Sequence, residues 1–115
     1  MNKLFVYGTL KPGCSNHYIL KNIGGDCIKA TLFGFQFDKD WEKQTGYPGL
    51  IKSNADAKVE GFLFVSENLN RNWEVLDNFE SEAYTREIVP ITLKNNKKVN
   101  GFVYVININF DINNF

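Results

Sequence analysis

The sequence has no excess of charge of either sign. Its 115 residues include 13 Lys and Arg and 13 Asp and Glu, so the formal net charge is zero at pH 7. The lysines are spread along the chain and form no basic patch of the kind that nucleic acid or a membrane surface attracts. We therefore expect neither nucleic acid nor a membrane as a partner.

Cysteine, histidine and long apolar runs are also scarce. No apolar run approaches the roughly 20 residues that span a bilayer, and the apolar residues 4–7 after Lys3 are too few for a secretory signal. With no export signal and only Cys14 and Cys27, we expect a reduced, cytoplasmic protein with free thiols. A structural zinc site needs four ligands at recognisable spacings, and His17 is the only histidine. Cys14, His17 and Cys27 are therefore a weak candidate for a zinc site.

Aromatic side chains are plentiful, with ten Phe, five Tyr and two Trp. Aromatic and β-branched residues favour pleated surfaces, so we expect a sheet-rich fold. We predict a bulge at Gly34, inside the second strand, and an edge or a bulge at Pro90. The strand patterns cover residues 3–7, 27–37, 57–65, 84–93 and 99–106.

Helix patterns follow two serines that are candidate N-caps. Ser15 precedes a short apolar pattern that Gly24 stops, and Ser66 precedes the best helix pattern of the chain. Residues 38–50 are predicted to form a polar loop. Because strands outnumber helices and do not alternate with them, we predict an α+β fold: a small mixed, strongly curved sheet or barrel flanked by two or so helices. We expect one domain over residues 1–115, with a loose tail at 107–115 whose phenylalanines can still dock.

The second helix pattern contains a carboxylate in an unusual place. Leu69, Trp73 and Leu76 share one face, and Glu80 falls on the same face four residues later. Burial would disfavour its charged form and raise its pKa toward the range that suits proton transfer, which marks a candidate active site. The alternative is a helix that ends at Asn78 and leaves Glu80 exposed. The pattern alone leaves both interpretations open.

The other ionisable residues are weaker candidates. We predict Asp77 on the polar side of the helix, and Glu82 and Glu87 in solvent. Cys14 and His17 lie three residues apart and could form a thiolate nucleophile, although no third group that would orient them is evident. A hydrolase of the Cys–His type stays as an alternative hypothesis.

The first strand pattern ends in a loop with the sequence GTLKPG, which begins at Gly8. Glycine after a strand lets the backbone turn sharply and bring its N–H groups close to a ligand. The loop lacks the spacing of a phosphate-binding P-loop. A simple turn and a ligand-holding wall of amides are both possible interpretations.

Four motifs, in this order along most of the chain, resemble the gamma-glutamylcyclotransferase-like family: FVYGTLKPG, YPGL, LDNFESEAYTR and GFVYV. The opening FVYGTLKPGCSNH and the string LDNFES most resemble the gamma-glutamylamine cyclotransferase branch. The resemblance implies a small mixed β-barrel flanked by helices that works without a metal or cofactor.

The resemblance also implies roles for individual residues. Glu80 matches the family's catalytic acid/base, and the next position, usually glycine in the wider family, is Ser81 here as in the gamma-glutamylamine branch. Four of the implied substrate-binding residues form the family's substrate-holding loop, two form the Y-x-R that follows the glutamate, and one is an aromatic residue of the cavity. These residues are Tyr7, Gly8, Thr9, Leu10, Tyr84, Arg86 and Tyr104.

The activity that the resemblance implies is an intramolecular aminolysis. A small-molecule gamma-glutamyl amide would close on itself and release 5-oxoproline and a free amine, with Glu80 moving the protons. A non-catalytic protein that binds gamma-glutamyl or carboxylate metabolites on the same fold is an alternative of another class. The oligomeric state, monomer or weak dimer, is left open.

Overall fold

The computed structural model describes residues 2–114. The strands are β1 (Lys3–Val6), β2 (Asp26–Phe33), β3 (Phe35–Phe37), β4 (Leu50–Lys52), β5 (Lys58–Val65), β6 (Tyr84–Leu93) and β7 (Lys98–Ile106). The helices are α1 (Tyr18–Ile23), α2 (Lys39–Thr45) and α3 (Trp73–Glu80), and 3-10 turns cover Leu69–Arg71 and Ile112–Asn114. No helix in the described residues is long and apolar enough to cross a membrane.

Five of the strands form a closed barrel in the order β1-β5-β2-β6-β7, while β3 and β4 form a small separate sheet. Most neighbours in the barrel are antiparallel, but β1 runs parallel to β7, with Leu4 opposite Phe102. This closed, mixed sheet with three helices confirms the predicted α+β barrel.

Alternating side chains of β1 divide the core into two clusters. Phe5 points into the barrel, where it packs with side chains such as Leu63 and Val103. Leu4 and Val6 belong to a second cluster outside the barrel. That cluster includes Leu20 of α1, Leu76 of α3 and Tyr104 of β7, so α1 and α3 pack on the outer face of the sheet.

Two predictions about residues 27–50 are wrong. Gly34 has φ +85°, and there the chain leaves the barrel and enters the separate sheet, so residues 27–37 form two strands and not one bulged strand. Residues 38–50 contain α2, which the prediction had treated as polar loop. Asp38 caps this helix, because its side chain accepts hydrogen bonds from the N–H groups of Asp40 and Trp41.

The predicted N-caps are also wrong. The short α1 begins after His17, and Ser15 does not cap it. Ser66 accepts a hydrogen bond from the Asn68 N–H (3.1 Å), just before the first 3-10 turn, and α3 begins only at Trp73. The structure therefore has a turn and a shorter helix where the sequence predicted one continuous helix from Ser66.

Two remaining predictions concern Pro90 and the tail. Pro90 lies opposite Asn100 of β7, in a part of β6 that does not pair with β2, so its missing N–H disturbs no second ladder. In the tail, the Phe110 ring docks edge-on against Trp41, with 6.1 Å between the ring centroids. Phe115 lies outside the described residues.

Candidate active site

In the loop that follows β1, residues 8–10 have carbonyl groups that accept hydrogen bonds and amide groups that donate none. The Gly8 and Thr9 carbonyls accept from the backbone N–H groups of Lys11 (3.1 Å) and Asn16 (3.0 Å). His17 Nδ1 donates to the Leu10 carbonyl (2.8 Å). Within residues 2–114, no backbone hydrogen bond outside the helices and strands has the N–H of residues 8–10 as its donor. Residues 7–10 are called the loop wall below, and residues 8–10 of this wall present free amide donors.

The opposite side of the site is the end of α3. The helix extends to Glu80, so the alternative in which it ends at Asn78 is wrong. Ser81 closes the helix by donating its N–H to the Asp77 carbonyl (2.9 Å), and it does so at φ 70°, ψ −177°. This conformation is one that glycine adopts far more readily than serine. Residues 79–81 are called the helix wall below.

The two walls enclose one cavity of about 470 Å³, which lies in the size range of small-molecule sites. The structure brings together there six of the seven predicted substrate-binding residues and the predicted catalytic residue, although much of the chain separates them. The predicted residues that line the cavity are Tyr7, Gly8, Thr9, Leu10, Glu80, Tyr84 and Tyr104.

Glu80 is the only charged side chain among the residues that line this cavity in the described part of the chain. Its carboxylate makes no hydrogen bond or ion pair among those given for residues 2–114. Burial raises the pKa of Glu80 from 4.5 to about 7. Near neutral pH the group can therefore both accept and donate a proton.

Three of the tyrosines that line the cavity have shifted pKa values. Burial, followed by the nearby Glu80 charge, raises the pKa of Tyr7 well above its ordinary value. Burial also raises the pKa of Tyr84, and burial together with a hydrogen bond to Asp77 raises the pKa of Tyr104. All three hydroxyl groups therefore stay protonated and act as hydrogen-bond donors or acceptors.

Hydrogen bonds fix two of these rings as cavity walls. Tyr7 donates its hydroxyl to the backbone carbonyl of Tyr104 (2.7 Å). The Tyr84 hydroxyl donates to the Pro48 carbonyl (2.8 Å) and accepts from the Trp41 indole N–H (3.1 Å). The helix α2 and the YPGL turn thus support the site from the side, a contribution that the sequence did not reveal.

Arg86 does not line the main cavity. Its guanidinium lies over the rings of Trp73 (4.3 Å) and Phe102 (4.8 Å), and Nη2 is 3.5 Å from the Asp77 carboxylate. A smaller cavity of about 310 Å³ next to the main one includes Arg86, Asp77 and Tyr104 in its lining. The sequence motif placed Arg86 near the substrate, whereas the structure places it behind Tyr104.

Asp77 lies on the polar side of the helix, as predicted, with its side chain 44% exposed. The carboxylate does not simply face solvent, because Oδ1 accepts a hydrogen bond from the Tyr104 hydroxyl (2.6 Å). The outer face of β6 and β7 presents donors to this side of α3, which the helical pattern could not show. Glu82 is exposed, as predicted, and Glu87 is half-exposed and lies 3.9 Å from Lys52.

Several cavity residues were not predicted as site residues. Asn16 lines the cavity and donates Nδ2–H to Thr9 Oγ1 (2.9 Å). The Asn-His pair of the opening motif could have identified Asn16 from the sequence, and the YPGL motif could have identified Tyr47 and Pro48. The additional lining residues are Phe5, Val6, Asn16, Tyr47, Pro48, Phe79 and Ser81.

The Cys–His hypothesis finds no geometric support. Cys14 is exposed and does not line the cavity, and the ring of His17 is engaged with the loop wall. Both cysteines are free thiols. Within residues 2–114, no three His, Cys, Asp or Glu side chains are grouped so that they could hold a metal ion.

Comparisons with known proteins find relatives over most of this chain. The model of the family described as "Gamma-glutamyl cyclotransferase, AIG2-like" matches residues 4–114. A curated relative, gamma-L-glutamyl-butirosin B gamma-glutamyl cyclotransferase of Niallia circulans, is 35% identical over 79 residues, which are 69% of this chain and 48% of the relative. The chain therefore spans about half the length of that relative.

Solved structures of similar fold cover nearly the whole chain. The solution structure of an Arabidopsis thaliana protein has a TM-score of 0.69 and 29% identity, over 91% of this chain and 61% of that one. A crystal structure of a mouse AIG2-like protein has a TM-score of 0.66 and 23% identity, over 96% of this chain and 80% of that one. The second likeness, at this identity, shows the fold alone.

Proposed function

We propose, from the premise that this chain belongs to the gamma-glutamyl cyclotransferase, AIG2-like family, that it converts a gamma-glutamyl amide into 5-oxoproline and a free amine. One observation carries the proposal. A carboxylate with a pKa of about 7, Glu80, stands in an otherwise uncharged cavity opposite free backbone amides. This combination suits a reaction in which protons must move and a carbonyl must be polarised.

The loop wall would hold the glutamyl group. The N–H groups of Gly8, Thr9 and Leu10 have no acceptor among the hydrogen bonds of the loop, so they are available to an anionic or carbonyl oxygen. The same amides can stabilise the negative charge that develops on the gamma-carbonyl oxygen. Because these donors are fixed by the carbonyl bonds of their own loop, they require little rearrangement during the reaction.

Glu80 would move the protons. The substrate's α-ammonium group gives a proton to the Glu80 carboxylate, and the freed nitrogen attacks the carbonyl carbon of the gamma-glutamyl amide. A carbon–nitrogen bond closes the five-membered ring, the original amide bond breaks, and the departing nitrogen takes the proton from Glu80. The second proton of the attacking nitrogen follows the same route, so 5-oxoproline and a protonated amine leave with all atoms accounted for.

The charge of the cavity favours a gamma-glutamylamine as substrate. No Lys, Arg or His is among the described residues that line it. The loop amides can hold one carboxylate, that of the glutamyl group, but a second carboxylate on the leaving group would have no cation beside it. The exposed rings of Tyr47 (51%) and Phe79 (39%) provide apolar contact for an uncharged leaving group.

A matched pair of substrates tests the proposal. Gamma-glutamyl ethylamide and gamma-glutamyl alanine differ by a single carboxylate on the leaving group. We expect 5-oxoproline from both, with a kcat/KM about tenfold higher for the ethylamide, because the site does not pair the additional charge. Alpha-glutamyl ethylamide is the control, because its ethylamide is on the α-carboxyl and is not released when the five-membered ring closes.

The outcomes separate the alternatives. Release of 5-oxoproline from neither compound, together with calorimetric binding of both, would favour the non-catalytic binding protein. Equal kcat/KM values would leave the reaction in place and contradict the preference for an amine. Loss of turnover on thiol alkylation would favour the Cys–His hydrolase.

A further inference from the structure

Asp77 joins the end of α3 to two strands of the barrel. It lies three residues before Glu80, and thus beside it on the helix surface. Its Oδ1 accepts from the Tyr104 hydroxyl (2.6 Å), and its Oδ2 lies 3.5 Å from Arg86 Nη2. Arg86 and Tyr104 are direct partners in the antiparallel register of β6 and β7. A single carboxylate therefore receives one donor from each strand.

Arg86 is enclosed behind this contact. Its guanidinium lies over the rings of Trp73 and Phe102, and Nη1 is buried with no hydrogen-bond partner in the described residues. Trp73 belongs to α3, so Arg86 contacts that helix through two side chains, Trp73 at its start and Asp77 one turn later. A ligand in the main cavity would meet Tyr104 and Glu80 and would not meet this guanidinium.

We propose that Arg86 and Asp77 are positioning residues that act through Tyr104 to hold Glu80 in the cavity. Arg86 orients the Asp77 carboxylate, and Asp77 then fixes both the Tyr104 hydroxyl and the last turn of α3. Tyr104 forms the cavity wall next to Glu80. The inference rests on the proposed function, because it takes Glu80 as the acid/base, and it replaces the substrate contact that the sequence motif implies for Arg86.

Kinetic constants distinguish positioning from binding. Asp77→Asn keeps an acceptor for Tyr104 but removes the charge that faces Arg86, and Arg86→Met keeps the contact with the two rings but removes the guanidinium. For both variants we expect kcat to fall roughly tenfold to a hundredfold while KM changes by less than about twofold, since a misplaced base slows the chemical step. Glu87→Gln is the matched control, because it removes a surface ion pair from the residue next to Arg86.

Opposite kinetic results would overturn the inference. A higher KM with unchanged kcat in Arg86→Met would mean that Arg86 binds substrate. A lower melting temperature with unchanged kcat and KM would mean that the contact only stabilises the fold. If Asp77→Asn fails to fold, Tyr104→Phe breaks the same link by removing one hydroxyl, and its kcat should fall in the same way.

A second measurement does not depend on turnover. The Ser81 N–H donates to the Asp77 carbonyl at the end of α3, and its hydrogen exchange reports how firmly that turn is held. We expect faster exchange in Asp77→Asn and in Tyr104→Phe than in the wild type and in Glu87→Gln. Equal exchange rates would overturn the inference. If the wild type released no 5-oxoproline, the proposed function would fail, and the exchange rates would still decide whether this contact holds the helix end.

Discussion

The loop wall and the helix wall of the cavity are held in place by different means. The loop wall is fixed by hydrogen bonds within residues 8–17 and offers neutral backbone donors. The helix wall is fixed by Asp77, whose partners Arg86 and Tyr104 lie on β6 and β7. This wall offers the charge of the Glu80 carboxylate. A wall that is built locally can be recognised in a short motif, whereas the other depends on how distant segments pack.

The largest effect should come from removing the charge of the helix wall. Glu80→Gln keeps the size of the side chain but cannot accept a proton, so we expect turnover to fall by about 10² to 10⁴ while a gamma-glutamyl ligand still binds. The melting temperature should stay the same or rise, because a buried carboxylate is less favourable than its neutral analogue.

Release of 5-oxoproline and thermal unfolding, measured on the same preparations, check this prediction. Glu82→Gln, an exposed neighbour, is the control and should behave like the wild type. Wild-type turnover in Glu80→Gln would remove Glu80 from the mechanism.

A smaller effect should come from narrowing the cavity at the loop wall. A Cβ atom added at Gly8 would lie 3.0 Å from Pro48 Cγ, so the Pro48 side of the cavity must shift in Gly8→Ala. We expect KM to rise about tenfold with a smaller change in kcat, because this wall mainly binds. Steady-state kinetics with Ser15→Ala as the control measure the effect. A fall in kcat at constant KM would mean that the loop wall contributes to the chemical step and not mainly to substrate binding.

The pH dependence of stability is a third distinction between the walls. The pKa of Glu80 is raised from 4.5 to about 7 on folding, so the folded protein binds a proton that the unfolded chain releases. The stabilisation from that proton is fully present below about pH 4.5 and is lost as the pH rises through about 7. We therefore expect the melting temperature of the wild type, relative to Glu80→Gln, to fall between pH 5 and pH 8. Parallel curves would show that Glu80 is not buried.

Relief of strain at Ser81 should have a modest effect. Serine at φ 70°, ψ −177° occupies a region that suits glycine, and such residues cost on the order of 1–3 kcal/mol. Relief of this strain in Ser81→Gly should raise the free energy of unfolding, but only by about 1 kcal/mol. Two losses offset part of the gain: glycine has more freedom in the unfolded chain, and the weak contact of Ser81 with the Ala83 N–H disappears. Denaturant titration measures the change, and a clear decrease would contradict the assignment of strain.

The smallest effect is expected from the cysteines. Cys14 is exposed on the loop and Cys27 is half-buried in β2, and neither side chain lines the cavity. The doubly substituted Cys14→Ser, Cys27→Ser protein should turn over substrate within about twofold of the wild type, because the proposed reaction uses no thiol. A folded double variant without turnover would reopen the question of a thiol mechanism.

Sequence patterns predicted the parts of the molecule that are local. Alternating and apolar runs identified the barrel strands, and the register of one helix made Glu80 a candidate for an inward-facing carboxylate without excluding an exposed one. The helix α2 was missed because Trp41 is its only buried residue, although Asp38 was available as a cap signal. The link from Asp77 to Arg86 could not be predicted, because it depends on the register of β6 against β7 and on where α3 crosses them.

Each side of the site has its own tryptophan, and this has a spectroscopic consequence. The chain has only two, Trp41 and Trp73. The Trp41 indole donates to the Tyr84 hydroxyl of the cavity, while the Trp73 ring lies under the Arg86 guanidinium. Fluorescence emission from Trp73→Phe would therefore follow occupancy of the cavity, and emission from Trp41→Phe would follow the charge contact behind the helix wall. The two single-tryptophan variants would therefore report separately, by fluorescence, on ligand binding in the cavity and on the Arg86 contact behind the helix wall.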